Sequence, residues 1–205
     1  MKIGAIVPAA GASSRMGQDK ALLPLAGATV LEHVLGTHRR ADIAPVVVVS
    51  GANDAELRRR YPDIRMVQNP HPQRGMFSSI QAGVLALSED IDAFFVHPVD
   101  IPLIRSETLL QLKACFALHH NRCRQTACLQ SYVPVHGRRR GHPPLLDRSF
   151  IPVIREDAGE NGLAAMLHRH TIIEVPCDDP SVLIDMDTPE AYRKVKEWME
   201  QSVSG

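Results

Sequence analysis

The sequence predicts an α/β fold of three layers, with helices on both faces of a mostly parallel sheet and one small antiparallel element. Two observations carry this. Short β-rich apolar runs alternate with segments of helical periodicity along most of the chain, the rhythm of strands joined by crossover helices. Two of the runs, VVVV at 46–49 and AFFV at 93–96, are apolar without alternation, as strands covered on both faces are. The rhythm changes after His119, and the irregular middle marks the antiparallel element.

The elements follow in order. Lys2–Val7 is the first strand, and a Gly- and Ser-rich loop follows it. Val30–His38 has apolar residues at helical spacing, with Thr29 as its cap. Pro45–Ser50 is a strand, Asn53 caps a short helix to Arg60, and Ile64–Gln68 is another strand. Ser78 caps a helix to Leu87, Ala93–His97 is a buried strand, and Ser106 caps a helix to His119. Thr126–Val135 and Gly141–Leu146 are short strands around the basic loop Gly137–Gly141. Helical segments Phe150–Arg155 and Gly162–His168 precede short strands at Thr171–Val175 and Val182–Asp185. Pro189 opens the last helix at its first position, where a missing N–H is tolerated. Gln201–Gly205 is a frayed tail. No repeat, low-complexity segment or linker divides the chain, so 1–205 reads as one domain.

Composition narrows the function. Hydrophobic residues at 44% and charged residues at 22% are the mix of a folded globular chain. The 23 Lys+Arg balance 23 Asp+Glu, which argues against a dedicated nucleic-acid binder. It leaves room for a small anionic ligand at a local positive site. The opening run breaks at Pro8, too short for a secretory core, and no run reaches the ~20 apolar residues of a membrane span. A cytoplasmic protein is expected. Cys115, His119, His120, Cys123 and Cys128 are zinc-ligand types, but their spacings fit no common zinc motif. A helix end with buried thiols and a solvated His pair is expected there.

In an open parallel sheet, ligands bind beyond the C-terminal strand ends. Three features fall there: the loop after Val7, the loop after Val67, and Asp100 after His97. In the first loop, Pro8–Lys20, small residues let the backbone approach a ligand and aim successive N–H groups at an anion. Arg15 and Lys20 supply positive charge for phosphates. The loop is neither GxxxxGK[ST] nor GxGxxG. Asp100 suits Mg²⁺ held between triphosphate oxygens, or a simple turn. Asp185 and Asp187, two apart on an extended segment, face one way.

The stretch AAGASSRMGQDKALLPLAG at 9–27 closely resembles the opening motif of the molybdopterin-cofactor nucleotidyltransferases. The likeness runs along nearly the whole chain. Gln68–Pro70 with Gly75–Gly83, Pro98–Pro102, Gly141–Pro143 and Ile184–Glu190 are similar to further segments of that family. The ordered set resembles its molybdenum cofactor cytidylyltransferase-like branch. Two departures stand out: Pro8 replaces a more usual Leu or Thr, and Ala164 stands where relatives carry a basic residue.

The resemblance implies a Rossmann-like nucleotidyltransferase fold and a Mg²⁺-dependent enzyme. Such an enzyme moves a nucleoside monophosphate, with CTP the expected donor, onto the phosphate of molybdopterin or its molybdenum-loaded form, releasing pyrophosphate. Lys20, Arg15 and Asp100 would be catalytic, and Asp100 and Asp187 would hold the metal. Asp187 has the alternative of capping the last helix, and Asp185 that of being the second ligand. Ala9, Ala10, Gly11, Lys20, Asn69, Gly75 and Ser79 would bind the nucleotide, and His142 the acceptor. A molybdoenzyme or its chaperone is the implied partner. The rival expectations are the same chemistry on a sugar or alditol phosphate, and a non-catalytic carrier of the cofactor.

Overall fold

The structure is a computed structural model that describes residues 1–11, 18–123, 129–159 and 161–203. Its strands are β1 (Ile3–Pro8), β2 (Pro24–Leu25), β3 (Ala28–Thr29), β4 (Val46–Ser50), β5 (Met66–Gln68), β6 (Ala93–Val96), β7 (Gln130–His136), β8 (Arg139–Arg140), β9 (Leu145–Asp147) and β10 (Thr171–Pro176). Its α-helices are α1 (Val30–Arg40), α2 (Asp54–Arg60), α3 (Met76–Ala86), α4 (Ser106–Cys123), α5 (Phe150–Glu156), α6 (Gly162–Leu167) and α7 (Pro189–Val203). The main sheet has the order β10-β7-β9-β6-β1-β4-β5, with β8 paired to β7. Pairs β6–β1, β1–β4, β4–β5 and β7–β10 are parallel. β9 runs antiparallel to both β6 and β7, so the expected antiparallel element lies in the middle of the sheet.

Both sheet faces are covered, as the unbroken apolar runs require. Phe94 packs with Ile80 and Val84 of α3 and Phe150 of α5, whereas its neighbour Phe95 packs with Leu109 and Phe116 of α4. A third cluster joins Val7 and Val48 to Leu31 and Val34 of α1 and Leu57 of α2. Thr29 starts α1 with a reciprocal capping box: its hydroxyl accepts from Glu32 N at 3.2 Å, and Glu32 Oε2 accepts from Thr29 N at 2.6 Å.

Local readings differ from the structure in five places. Val182–Asp185 is not a strand. A 3₁₀ turn spans Pro180–Leu183, because Asp179 caps it through Ser181 N at 3.1 Å and Pro180 presets its backbone. The helix assigned a Ser78 cap begins two residues earlier, at Met76. The Ser78 hydroxyl is turned back inside it, onto the Gly75 carbonyl at 2.8 Å. Gly141–Leu146 is not one strand; β8 ends before it and β9 takes in only its last two residues. The hairpin β2–β3 was not expected. Cys123 and Cys128 lie outside the described side chains. His119 and His120 are half-buried rather than solvated: His119 Nδ1 donates to the Cys115 carbonyl at 2.8 Å. Among the described residues no helix is long and apolar enough to cross a membrane.

Candidate active site

β1 ends where the hydrogen bond from Ala9 N to Val49 O, 2.8 Å, carries the chain past the sheet. The loop then reaches Gly11, and its far end returns at Asp19 and a 3₁₀ turn over Lys20–Leu22. Arg15 lies outside the described residues. The two described ends of the loop are tied together from the turn between β4 and α2. Asn53 Nδ2 donates to the Ala9 carbonyl at 3.0 Å and to Asp19 Oδ2 at 2.6 Å. Asp19 Oδ1 in turn accepts from Ala21 N at 2.9 Å. Asn53 stands at the N-cap of α2 as expected, but its side chain makes no capping bond; it is committed to this clasp. Gly51 allows the approach, since a Cβ there would lie 2.7 Å from the Ala10 carbonyl oxygen.

The strand end after β6 crosses towards the same place. Val99 N donates to Pro8 O at 3.1 Å, and Met186 N donates to the Asp100 carbonyl at 2.9 Å. The 98–101 turn and the 184–188 segment therefore meet beside the loop. Lys20 Nζ donates to Asp187 Oδ1 at 2.6 Å and to Asp100 Oδ2 at 3.2 Å. Lys20 and Asp100 are nearly buried, with side chains 16% and 15% exposed. Burial pushes the Asp100 carboxyl above its ordinary range; Lys20 pulls it back, and the neighbouring Asp187 carboxylate pushes it up again. Burial lowers the Lys20 ammonium, but the Asp187 hydrogen bond and the pull of both carboxylates outweigh that, and the net shift is upward. Asp187 does not cap α7, because Thr188 Oγ1 accepts from Ala191 N at 3.1 Å. Asp185 is exposed, and its Oδ1 accepts from Asp187 N at 3.4 Å.

These groups line a cavity of about 320 Å³ whose wall includes Ala9, Ala10, Gly11, Gly75 and Ser79. Asn69 is buried behind that wall. Its Nδ2 donates to Ser78 Oγ at 2.8 Å and Ser79 Oγ at 3.0 Å, and its Oδ1 accepts from His71 N at 2.8 Å. It positions Ser79 rather than facing the cavity. A second cavity of about 600 Å³ adjoins the first and shares Gly75, Met76 and Pro98 with it. Phe77, Ile80, Val133, Leu163, Leu167 and Ile172 make it largely apolar, and His142 stands on its rim. His142 is exposed, yet crowding by protein lowers its imidazole below the ordinary value while Asp185 pulls the other way.

Two neutral histidines brace the 98–101 turn from below. His97 Nε2 donates to the Ile101 carbonyl at 2.9 Å, which makes Nδ1 an acceptor for His38 Nε2 at 3.1 Å. Burial holds His97 down to about 4 and His38 well below the ordinary value. The remaining His38 Nδ1 is buried without a hydrogen bond.

The donor chemistry suits a hard divalent cation. Lys20 Nζ brings the two carboxylates side by side, and among the described residues no third His, Cys, Asp or Glu joins them, which leaves further coordination to ligand oxygens.

The chain is similar to several known proteins. The chain is 26% identical over 200 residues to the molybdenum cofactor cytidylyltransferase of Escherichia coli, covering 95% of this chain and 96% of that one. It is 39% identical over 109 residues to the molybdenum cofactor guanylyltransferase of Xanthomonas euvesicatoria, covering 53% and 52%. It is also 30% identical over 191 residues to the nicotine blue oxidoreductase of Paenarthrobacter nicotinovorans, covering 90% and 92%. Among solved structures, Rv0371c of Mycobacterium tuberculosis, in complex with manganese, superposes with a TM-score of 0.76 at 21% identity, covering 96% of this chain and 99% of that one. Residues 5–174 match the MobA-like NTP transferase domain, and the chain belongs to that family of nucleotidyltransferases.

Proposed function

We propose that this chain is a cytoplasmic, Mg²⁺-dependent enzyme that transfers CMP from CTP to the terminal phosphate of molybdopterin or its molybdenum-loaded form, all 205 residues acting as one unit. The observation that carries the reading is the Lys20–Asp100–Asp187 cluster in a small cavity that adjoins a larger, largely apolar one. The first suits a triphosphate and the second a flat ring.

The triphosphate lies over Ala9, Ala10 and Gly11, small residues that let it approach the backbone. Lys20, with Arg15 from the same loop, neutralises charge building on the α-phosphate and on the departing pyrophosphate. Ser79, positioned by Asn69, and Gly75 border the nucleoside. Asp100 and Asp187 would hold Mg²⁺, which would supply charge neutralisation to the triphosphate when bound. His142 orients the acceptor. An acceptor phosphate oxygen bonds to the α-phosphorus in line as the bond to the bridging oxygen breaks. No general base is needed, because the acceptor phosphate is already ionised, and catalysis is positioning plus electrostatics.

The apolar walls of the second cavity disfavour a sugar or alditol phosphate, and the Lys20–Asp100 pair is superfluous in a mere carrier. The same charged cluster favours phosphate chemistry over the redox reaction named for one relative. The test is pyrophosphate release with Mg²⁺, molybdopterin and CTP, GTP or ATP in turn. Release with CTP supports the reading. Release with GTP or ATP alone keeps the mechanism and overturns the base. None from folded protein overturns the acceptor.

A further inference from the structure

The larger cavity has a feature that its apolar walls do not explain. Arg140 borders it on the side of β8, on the β7–β10 side of the sheet and away from Lys20. Arg140 is not a loose surface arginine. Its Nε donates to Glu174 Oε1 on β10 at 2.7 Å, and its Nη1 donates to His168 Nε2 at 3.1 Å, just beyond α6. His168 Nδ1 donates to the Ala164 carbonyl at 2.7 Å, so its tautomer is set and Nε2 is free only to accept. The guanidinium is thus held in a fixed plane from two elements.

Those two bonds use two of the five guanidinium N–H donors and leave three. The backbone beneath is equally constrained. Gly141 N donates to Pro134 O at 2.8 Å, and a Cβ on Gly141 would lie 2.4 Å from the Val182 carbonyl oxygen. Among the described residues, the charged groups bordering the cavity are Arg74 and Arg140, and no carboxylate does. A fixed, planar, donor-only group at the far end of an apolar cavity recognises oxygen acceptors on a flat ring, where a bidentate fork fits and an ammonium does not.

We propose that Arg140, positioned by Glu174 and His168, is the acceptor-specificity residue. It reads the ring carbonyl oxygen on the flat heteroaromatic body of the acceptor, at the end remote from the transferred phosphate. This rests on the reading of the larger cavity as the acceptor site. It also accounts for Ala164: the cationic contact comes from β8 instead of α6.

The test separates binding from turnover. Wild type, Arg140→Ala and Arg140→Lys are titrated with the fluorescent probe pterin, which carries the ring carbonyl and no carboxylate, and CTP binding is measured alongside. The expected result is that Arg140→Ala weakens probe binding by about tenfold or more, that Arg140→Lys does not restore it, and that CTP affinity is unchanged. Equal probe affinity in wild type and Arg140→Ala overturns the proposal, as does no binding to wild type, or CTP affinity falling in parallel. Full rescue by Lys overturns the fork geometry. Pyrophosphate release with molybdopterin is scored separately. Its absence, alongside Arg140-dependent probe binding, would refute the enzymatic reading and leave this one standing.

Discussion

The two adjoining cavities are built on opposite principles. The smaller is a meeting of charges: three ionic side chains from distant parts of the chain converge at 2.6 and 3.2 Å. The larger is a meeting of shapes: apolar side chains from α3, β6, β7, α6 and β10 form its wall, and its fixed polar group, Arg140, sits at one end. The contrast suggests a division of labour. On the proposed function, charge neutralisation, which the transition state demands, is concentrated in one place, and discrimination between acceptors is delegated to the other.

The largest way to break this comparison is to remove its charged centre. Lys20→Ala is expected to lower kcat by about 10²–10³, the typical effect of losing one preorganised donor to developing charge. Pyrophosphate release checks it, and a loss under tenfold would contradict the role.

Next in size is acid. His97 and His38 are neutral when folded, so between pH 6.5 and about 4 the unfolded chain takes up protons that the folded chain refuses. Stability is therefore complete above pH 6.5 and is lost as pH falls, by about 1.4 kcal/mol per pH unit for each imidazole. Urea unfolding at pH 7 and pH 5 measures this, and His97→Gln should flatten the slope. Because the pair braces the 98–101 turn, the charged cavity is the one that weakens.

Smaller again is the Asn53 clasp. Asn53→Ala removes two hydrogen bonds to the nucleotide loop, worth about 1–2 kcal/mol together. The KM for nucleotide should rise about five- to tenfold while the KM for acceptor stays put. An equal rise in both would contradict the separation of the two cavities. The smallest effect is expected at the apolar wall. Ile172→Val removes one methyl group, about 0.8 kcal/mol of contact, and should raise the KM for acceptor a few-fold with the nucleotide unaffected.

The same contrast governs what could be read from sequence. The three-layer sheet was legible because buried strands announce themselves, as in VVVV and AFFV. Lys20, Asp100 and Asp187 were legible because each sits in a short motif at a strand end or helix entry. Asn53 was legible only as a helix cap. Its clasp joins positions 44 and 34 residues away, which no local propensity registers. Asn69 was read as a ligand contact, while its amide is committed to Ser78, Ser79 and His71. The larger cavity left no trace, because ordinary apolar residues of five separate elements form it and each looks like core. Glu174 and His168 likewise carry no motif; only the fold brings them to Arg140.

The most direct test of the divided site is a ternary crystal structure with a non-hydrolysable α,β-methylene CTP analogue, Mg²⁺ and molybdopterin. The account predicts the triphosphate over Ala9–Gly11 and Lys20, and the pterin ring in the larger cavity against Arg140. An acceptor phosphate oxygen should then lie about 3–3.5 Å from the α-phosphorus. A pterin bound elsewhere, with the larger cavity left to solvent while the nucleotide is seated, would contradict it.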